Sequence, residues 1–279
     1  MGWRGGSLAP RHSYKVGQMK KSSSHYDIPY LARRQLLDYR ATTPGTCFSD
    51  NEFQLDVTTA YQLQDAVTEL RVTDGEQIIG YKVGCTGPGT TDQFGMNGPI
   101  RGTLFADEAL KTGVTLNPDA FCELAIEGEM AVRIGEDLQI EAAFPVIELH
   151  NFVFRAVPKS LPELIANNGI NAGIVLPEYQ WQQSKTHIIN DAVLTVIINA
   201  ANVGEANLWP KEGGPQVSIE WIKNHLANYG HQLEPGHIIL AGTALGLYPV
   251  KSGDNIIVLI DGKPAVQCAI SANTKYLSD

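Results

Sequence analysis

The chain has 279 residues, of which 43% are hydrophobic and 18% are charged, and its formal net charge is −9. This length and apolar content are sufficient for a substantial core, in one large domain or in one domain with a smaller lobe. The acidic balance argues against a nucleic-acid-binding protein, whose contact surface should be basic, and no apolar run reaches the length of a transmembrane helix.

Two features of the composition bear on where the protein works. Residues 1–25 are basic, contain no acid and lack the apolar h-region of a secretory signal. We interpret them as a flexible basic tail, and the alternatives are a targeting segment or translation that starts at Met19. The four cysteines are scattered without a C-x-x-C pair, which favours a reduced, cytoplasmic protein over a disulfide framework or a zinc site.

Two helices are predicted in the segment from residue 26 to residue 75. The first covers residues 30–40, where Leu31, Leu36 and Leu37 share one apolar face. The second covers residues 57–71, where apolar residues recur near helical spacing, and an Asp-Gly pair follows as a stop signal. We therefore expect a helical N-terminal segment in front of the main domain.

Most predicted strands lie in the remaining domain, residues 76–279. Short apolar segments that are typical of strands occur at residues 77–84, 124–134, 144–149 and 193–199. Near the C terminus, N-I-I-V-L-I and A-V-Q-C-A-I are joined by D-G-K-P, which predicts a β-hairpin. Because helices come first and most strands later, without regular alternation, the pattern favours an α+β or mainly β fold over a doubly wound sheet.

The stretch L-A-I-E-G-E-M-A-V-R-I, residues 124–134, places two acids in an apolar segment. In a strand, Glu127 and Glu129 share one face about 7 Å apart, and Gly128 falls on the opposite, core face. Two neighbouring carboxylates repel, and a divalent cation with oxygen ligands would relieve the repulsion. The alternative is a solvated edge strand with Arg133 as a counter-ion, which is the commoner explanation of an isolated E-x-E.

Two further charged residues favour the metal interpretation. Glu148 is the one acid of the apolar run F-P-V-I-E-L, where an unpartnered carboxylate would be costly. Three acids on neighbouring strands would form a facial set of oxygen ligands for Mg²⁺ or Mn²⁺. Lys82 is the one charged residue of G-Y-K-V-G-C-T. It is either a lysine whose aliphatic stem covers apolar surface or a desolvated lysine that transfers protons beside the metal.

These segments together resemble a known family. The motifs G-Y-K-V-G-C-T, G-P-I-R-G-T-L-F-A-D, A-I-E-G-E-M-A, P-V-I-E-L and P-G-H-I-I-L-A-G-T-A-L-G occur in the family's order, and the similarity spans residues 30–275. They resemble the 2-keto-4-pentenoate hydratase, 2-oxohept-3-ene-1,7-dioate hydratase and 4-oxalocrotonate decarboxylase branch of the fumarylacetoacetate hydrolase family. The resemblance implies a mixed β-roll core, like the C-terminal domain of fumarylacetoacetate hydrolase, with flanking helices and a central metal.

The resemblance also implies a chemistry. Glu127, Glu129 and Glu148 would bind Mg²⁺ or Mn²⁺, and Lys82 would act as the acid and base. Relatives are dimers or larger assemblies that act on small 2-oxo acids in aromatic catabolism. The expected activity is therefore a lyase that adds water to a 2-hydroxy-2,4-dienoate, in a homo-oligomer or in a complex with a related enzyme. A 2-oxo acid decarboxylase is the alternative, because both reactions use the same electron sink.

Three candidate substrate-binding residues follow from the same motifs, and one departure affects them. Asp107 would line the site or cap a turn, and Thr243 would contact the substrate carboxylate or be a plain strand-end residue. Asn168 matches the Asn of a family segment of the type A-D-N-A-S, but Asn167 stands where that segment has Asp. This departure motivates a further alternative, a catalytically idle relative that binds a metal and a 2-oxo acid.

Hydrolysis of a 1,3-diketone is disfavoured by the residues before E-G-E. Hydrolases of the wider family carry a His there that activates water, whereas residues 124–126 of this chain are Leu, Ala and Ile. His150 would lie on the same strand face as Glu148. We interpret His150 as a structural residue with satisfied hydrogen bonds, and a role beside the metal or substrate is the alternative.

Overall fold

The computed structural model describes residues 26–49, 53–87, 94, 98–155, 159–188, 191–210 and 212–272. The basic segment 1–25 lies outside these ranges, and its interpretation as a tail stays a prediction. Cys47, Cys122 and Cys268 are free thiols. Within the described ranges, no helix combines the length and the apolar character needed to cross a membrane.

Five α-helices occur in the described part of the chain. They are α1 (Ile28–Arg40), α2 (Val57–Thr73), α3 (Leu161–Ala166), α4 (Tyr179–Gln182) and α5 (Pro215–Asn228). The two predicted N-terminal helices are confirmed as α1 and α2. Each begins at an aspartate, Asp27 or Asp56, whose side chain accepts a hydrogen bond from a backbone N–H of the first turn.

The N-terminal helices pack on α3 through one apolar cluster. This cluster of buried side chains includes Leu31, Ala32, Tyr61, Leu63, Leu164 and Ile165. Gln64 of α2 adds a polar link, because its Nε2 donates to the carbonyl oxygens of Ile165 at 2.7 Å and Arg101 at 3.0 Å. The helical layer therefore holds α3 and the turn that follows it against the strand that carries Arg101.

Thirteen strands occur in the same part of the chain. They are β1 (Ile78–Gly84), β2 (Ile100–Phe105), β3 (Ala109–Lys111), β4 (Thr115–Leu116), β5 (Leu124–Ile134), β6 (Ile140–Asn151), β7 (Asn171–Leu176), β8 (Val193–Ile198), β9 (Ala201–Asn207), β10 (Ile238–Leu240), β11 (Tyr248–Pro249), β12 (Asn255–Ile260) and β13 (Lys263–Ile270). The predicted C-terminal hairpin is confirmed as the antiparallel pair β12 and β13.

The strands form two sheets. The first sheet follows the order β2-β1-β10-β5-β6-β7-β3, with β11 beside β5. It is mixed, because β1 pairs parallel with β10 and β3 pairs parallel with β7, whereas its other pairs are antiparallel. The second sheet follows the order β4-β13-β12-β8-β9. Mixed sheets with separate helices confirm the α+β prediction.

The first sheet is rolled, and its inner face is enclosed. Strand β2 contacts β7 although four strands lie between them in the sheet order. Buried apolar side chains from distant strands of the sheet meet on this inner face, among them Leu104, Ala131, Phe144, Ile174 and Leu240. This arrangement agrees with the mixed β-roll and flanking helices that the resemblance implied.

The outer face of the roll packs on the second sheet. Met130 of β5 lies in the same buried apolar cluster as Val196 of β8 and Val258 of β12. Gly128 lies on this face too, where an added Cβ would be 2.5 Å from Cγ2 of Val196. The glycine between the two acids therefore allows the second sheet to approach β5 closely.

Candidate active site

The acids of β5 and β6 meet on the inner face of the roll. Strand β5 pairs with β10 on one side and with β6 on the other, so it is a central strand. Glu127 lies directly opposite Glu148 in the antiparallel pair, and residues opposite each other project from the same face. Glu129 and Glu148 are 2% and 1% exposed. The alternative of a solvated edge strand is therefore wrong, and Arg133 donates instead to Gln182 at 2.9 Å.

Lys82 reaches the same cluster from β1. Its Nζ donates to Oε1 of Glu148 at 2.6 Å and to the carbonyl oxygen of Gly169 at 3.1 Å, and the residue is 4% exposed. The lysine lies beside Gly102 of β2, where an added Cβ would be 2.9 Å from Cγ of Lys82. Because the ammonium is buried and paired, the interpretation of Lys82 as a surface-covering lysine is wrong.

Two residues that the sequence did not indicate orient the carboxylates. Asn171 of β7 donates from Nδ2 to Oε1 of Glu148 at 2.7 Å. The backbone N–H of Gly242, in the loop after β10, donates to Oε1 of Glu129. Because Oε1 of Glu148 already accepts from both Lys82 and Asn171, its second oxygen, Oε2, is left for another partner.

His150 of β6 joins the cluster. Its Nε2 lies 3.3 Å from Oε2 of Glu127 and 3.4 Å from Oε2 of Glu148. Neither ring nitrogen makes a hydrogen bond with any described residue, although the ring is buried. The structure therefore places His150 beside two carboxylates of the cluster, and its interpretation as a structural residue stays a prediction.

The pKa values of the clustered side chains are shifted because several carboxylates are buried close together. Burial, together with repulsion from Glu148 and Glu127, raises the pKa of Glu129 well above its usual value. Burial alone would also raise the pKa of Glu148, but the charges of His150 and Lys82 bring it below its usual value. Burial alone would lower the pKa of Lys82, and the neighbouring glutamates, Glu148 above all, raise it. A cation at this point would relieve the repulsion between the carboxylates.

The residues present fit a divalent metal ion. Glu127, Glu148 and His150 each offer one ligand atom, and these atoms lie within 4.8 Å of one another. Carboxylate oxygens suit hard divalent cations, and an imidazole nitrogen suits transition metals. Nε2 of His150 and the carboxylates of Glu127 and Glu148 are the groups that a bound ion would contact.

A cavity of about 530 Å³ opens above this cluster. Lys82, the three glutamates and His150 line its polar floor. Its apolar wall includes Phe94, Phe152, Phe154, Leu245 and Leu247. Lys159 also lines the cavity, with its exposed ammonium 4.7 Å from the centre of the Phe152 ring and 5.4 Å from that of Phe154. The volume and lining suit a small organic acid.

Comparisons with known proteins point to one group of enzymes. No protein-family model matches the chain. The 2-keto-4-pentenoate hydratase of Burkholderia vietnamiensis is 26% identical over 255 residues, covering 85% of this chain and 92% of its own. A 4-oxalocrotonate decarboxylase of a Pseudomonas species is 24% identical over 209 residues, covering 71% of this chain and 80% of its own.

A solved structure has the same fold over most of the chain. The 4-oxalocrotonate decarboxylase from Pseudomonas putida G7, in complex with magnesium and adipate, superposes with a TM-score of 0.79 at 19% identity. The match covers 87% of this chain and 97% of that one. The chain is therefore similar in sequence to hydratases and a decarboxylase of the branch named above, and it shares the fold of a 4-oxalocrotonate decarboxylase. The predicted resemblance is thereby confirmed.

The three candidate substrate-binding residues have different environments. Thr243 lines the cavity, and its Oγ1 accepts from the backbone N–H of Leu245 at 3.0 Å. Asn168 instead bonds the backbone of Thr103, accepting from its N–H at 2.7 Å and donating to its carbonyl at 2.9 Å. Asp107 is exposed in a 3-10 turn and is not among the cavity-lining residues. The structure therefore brings only Thr243 to the cluster.

The side chains at the family's A-D-N-A-S position have structural partners. Asn167 accepts from Nε2 of Gln35 in α1 and donates to the carbonyl oxygen of Glu163 in α3 at 2.9 Å. Asn168 ties the following turn to β2, and that turn presents the Gly169 carbonyl to Lys82. The departure at Asn167 therefore affects how the helices hold this turn, and it leaves the carboxylate cluster intact.

Proposed function

We propose that the protein is a metal-dependent hydro-lyase that adds water to a 2-hydroxy-2,4-dienoate, as in 2-keto-4-pentenoate hydration. The observation that carries the proposal is the buried contact of Lys82 with Glu148 on the floor of a cavity sized for a small organic acid. The similarity of the chain to curated hydratases of 2-keto-4-pentenoate and related dienoates supports this substrate class. The resemblance to this family also implies a role in the breakdown of aromatic compounds, and that role stays a prediction.

We assign a divalent metal to the carboxylates of Glu127, Glu129 and Glu148. Their oxygen-rich set suits Mg²⁺ or Mn²⁺, and a neighbour of the same fold is described with magnesium. When bound, such an ion draws electrons from the 2-oxo acid group and stabilises the enolate charge that develops there. Thr243 lines the same cavity, where its side chain and neighbouring backbone would orient the substrate carboxylate.

The proposed acid and base is Lys82. Its raised pKa means that Nζ carries a proton before the reaction starts. Transfer of that proton to C5 of the dienol, with return of the C2 hydroxyl proton to the lysine amine, converts the substrate into a 2-oxo-3-enoate, in which C4 is electrophilic. The oxygen of water then adds at C4, and the proton that the water loses is delivered to C3. Glu148 and the Gly169 carbonyl hold Nζ at the cavity floor, so the lysine is positioned for both proton movements.

The test is the loss of ultraviolet absorbance of 2-hydroxypenta-2,4-dienoate with added Mg²⁺ or Mn²⁺. Lys82→Met should lower kcat by roughly 10²- to 10⁴-fold, the usual contribution of a positioned acid or base. Metal binding, measured by calorimetry, should persist in the variant. Wild-type protein that binds metal but turns over no 2-oxo-enoate would refute the proposal and favour the idle relative.

Decarboxylation of a 2-oxo-dioate is the second candidate. Lys159 favours it, because this ammonium lies at the aromatic wall and makes no ion pair with any described residue, so it is free to receive a distal carboxylate. The similarity to a 4-oxalocrotonate decarboxylase agrees with it. Release of CO₂ from 4-oxalocrotonate, faster than hydration of the pentadienoate, would establish this activity instead.

The assembly state also stays a prediction. We expect a homo-oligomer or a complex with a related enzyme, and light scattering of the purified protein measures the mass that distinguishes a homo-oligomer from a monomer.

A further inference from the structure

His150 is a buried imidazole whose Nε2 lies between two carboxylates. It is 2% exposed, and neither Nδ1 nor Nε2 makes a hydrogen bond within the described part of the chain. Buried polar groups in folded proteins nearly always make well-formed hydrogen bonds, so a buried ring nitrogen that lies near two carboxylates without such a bond calls for an explanation. The notable point is its position, because the ring faces two carboxylates of the cluster rather than a hydrophobic pocket.

The distances around Nε2 match those between ligands of one ion. Nε2 lies 3.3 Å from Oε2 of Glu127 and 3.4 Å from Oε2 of Glu148. Ligand atoms that each lie about 2.1 Å from one metal ion are separated by roughly 3.0 to 3.4 Å at right-angled or tetrahedral positions. The three atoms therefore already stand at the mutual spacing that coordination requires.

The neighbouring contacts leave these atoms available. Lys82 and Asn171 both donate to Oε1 of Glu148, so Oε2 is the oxygen that faces the imidazole. Strand pairing explains the arrangement, because Glu127 is opposite Glu148 and Ala125 is opposite His150. The alanine leaves room for the ring on the inner face of the roll.

We propose that Nε2 of His150 is a direct ligand of the bound metal, together with the carboxylates of Glu127 and Glu148. The site is then a mixed nitrogen and oxygen site rather than an all-oxygen one. Such a site binds Mn²⁺ and later transition metals in preference to Mg²⁺, which favours oxygen ligands. This inference rests on the metal of the proposed function, and it can be tested without any substrate.

The decisive measurement is the pulsed electron paramagnetic resonance of bound Mn²⁺. Protein made with natural histidine should show modulation from a coordinated ¹⁴N, and protein made with ¹⁵N-histidine should show the ¹⁵N pattern instead. His150→Phe should abolish the histidine signal. His231→Asn is the matched control and should retain it, because His231 is partly exposed and pairs with Asp65 outside the cavity.

Calorimetry gives an independent readout. His150→Phe should weaken Mn²⁺ binding by at least roughly tenfold and Mg²⁺ binding by less. A histidine signal that is absent from wild-type protein, or Mn²⁺ that does not bind at all, overturns the proposal without reliance on any variant. If a folded His150→Phe variant lost affinity for Mn²⁺ and Mg²⁺ equally, His150 would act only through its charge beside the carboxylates, and the proposal of direct ligation would be overturned. Nitrogen coordination in a protein without hydratase activity would refute the proposed function and leave this inference standing.

Discussion

Gly102 is the residue at which packing controls the position of Lys82. An added Cβ at this position would lie 2.6 Å from the backbone oxygen of Asn168, and 2.9 Å and 3.1 Å from Cγ and Cδ of Lys82. The backbone oxygen cannot move cheaply, because the side chain of Asn168 is bonded twice to Thr103. Gly102→Ala therefore forces either the 168–170 turn or the lysine stem to shift.

We expect Gly102→Ala to lower both stability and activity. Overpacking of this kind costs about 1–3 kcal/mol of unfolding free energy. A displacement of Lys82 by about 1 Å would lower kcat roughly 100-fold. Urea denaturation measures the first effect, and the loss of dienoate absorbance measures the second.

The matched control is Gly98→Ala. Among the residues that the structure describes, an added Cβ at Gly98 would meet only Nε1 of Trp221, at 3.9 Å, so this variant should resemble wild type. If Gly102→Ala kept the stability and the kcat of the wild type, Gly102 would not be what positions Lys82. If it lost stability alone, the close packing would be real but unrelated to the reaction.

Three further variants test other contacts. Asn171→Ala removes one of the two donors to Oε1 of Glu148 and should lower metal affinity or kcat roughly 10- to 100-fold, as measured by calorimetry and turnover. Lys159→Met should raise KM for a 2-oxo-dioate several-fold and leave KM for the pentadienoate unchanged, since only the dioate has a distal charge; equal changes would contradict a role in charge recognition. Burial, followed by the charge of Arg101, lowers the pKa of His225 to about 4. In the unfolded chain this imidazole binds a proton near pH 6.5, whereas in the folded chain it stays neutral until about pH 4. The free energy of unfolding should therefore fall by roughly 2 kcal/mol as the pH falls from 6.5 to 4. His225→Phe should flatten that fall in urea titrations, and an unchanged slope would count against this group.

The sequence predicted those parts of the site that depend on one strand. Alternation of side chains placed Glu127 and Glu129 on one face of β5 and Gly128 on the other, and the structure has this arrangement. The period of two is a local property of an extended chain, so it needs no knowledge of neighbours. The helices were predictable for a similar reason, because their apolar spacing and their stop signals are local.

Residues whose role depends on a distant partner were harder to assign. His150 was predicted to be a satisfied structural residue, since nothing in L-H-N shows that two carboxylates will face the ring. Asn171 gave no signal of its contact with Glu148, because that contact depends on the pairing of β6 with β7, which is irregular between Glu148 and His150. Asp107 and Asn168 lie in family motifs, yet their environments direct them to solvent and to the backbone of β2.

By itself the sequence determined the strand faces, the N-terminal helices, the resemblance to a family and the set of charged residues from which we propose that a metal site is built. Only the tertiary structure decided which of those charges share one buried volume. The physical reason is that β1, β5, β6 and β7 come together through registers across the rolled sheet, and the Lys82–Glu148 contact spans 66 residues of chain. Local patterns specify which way a side chain points along its own strand, whereas the register of neighbouring strands specifies what it meets.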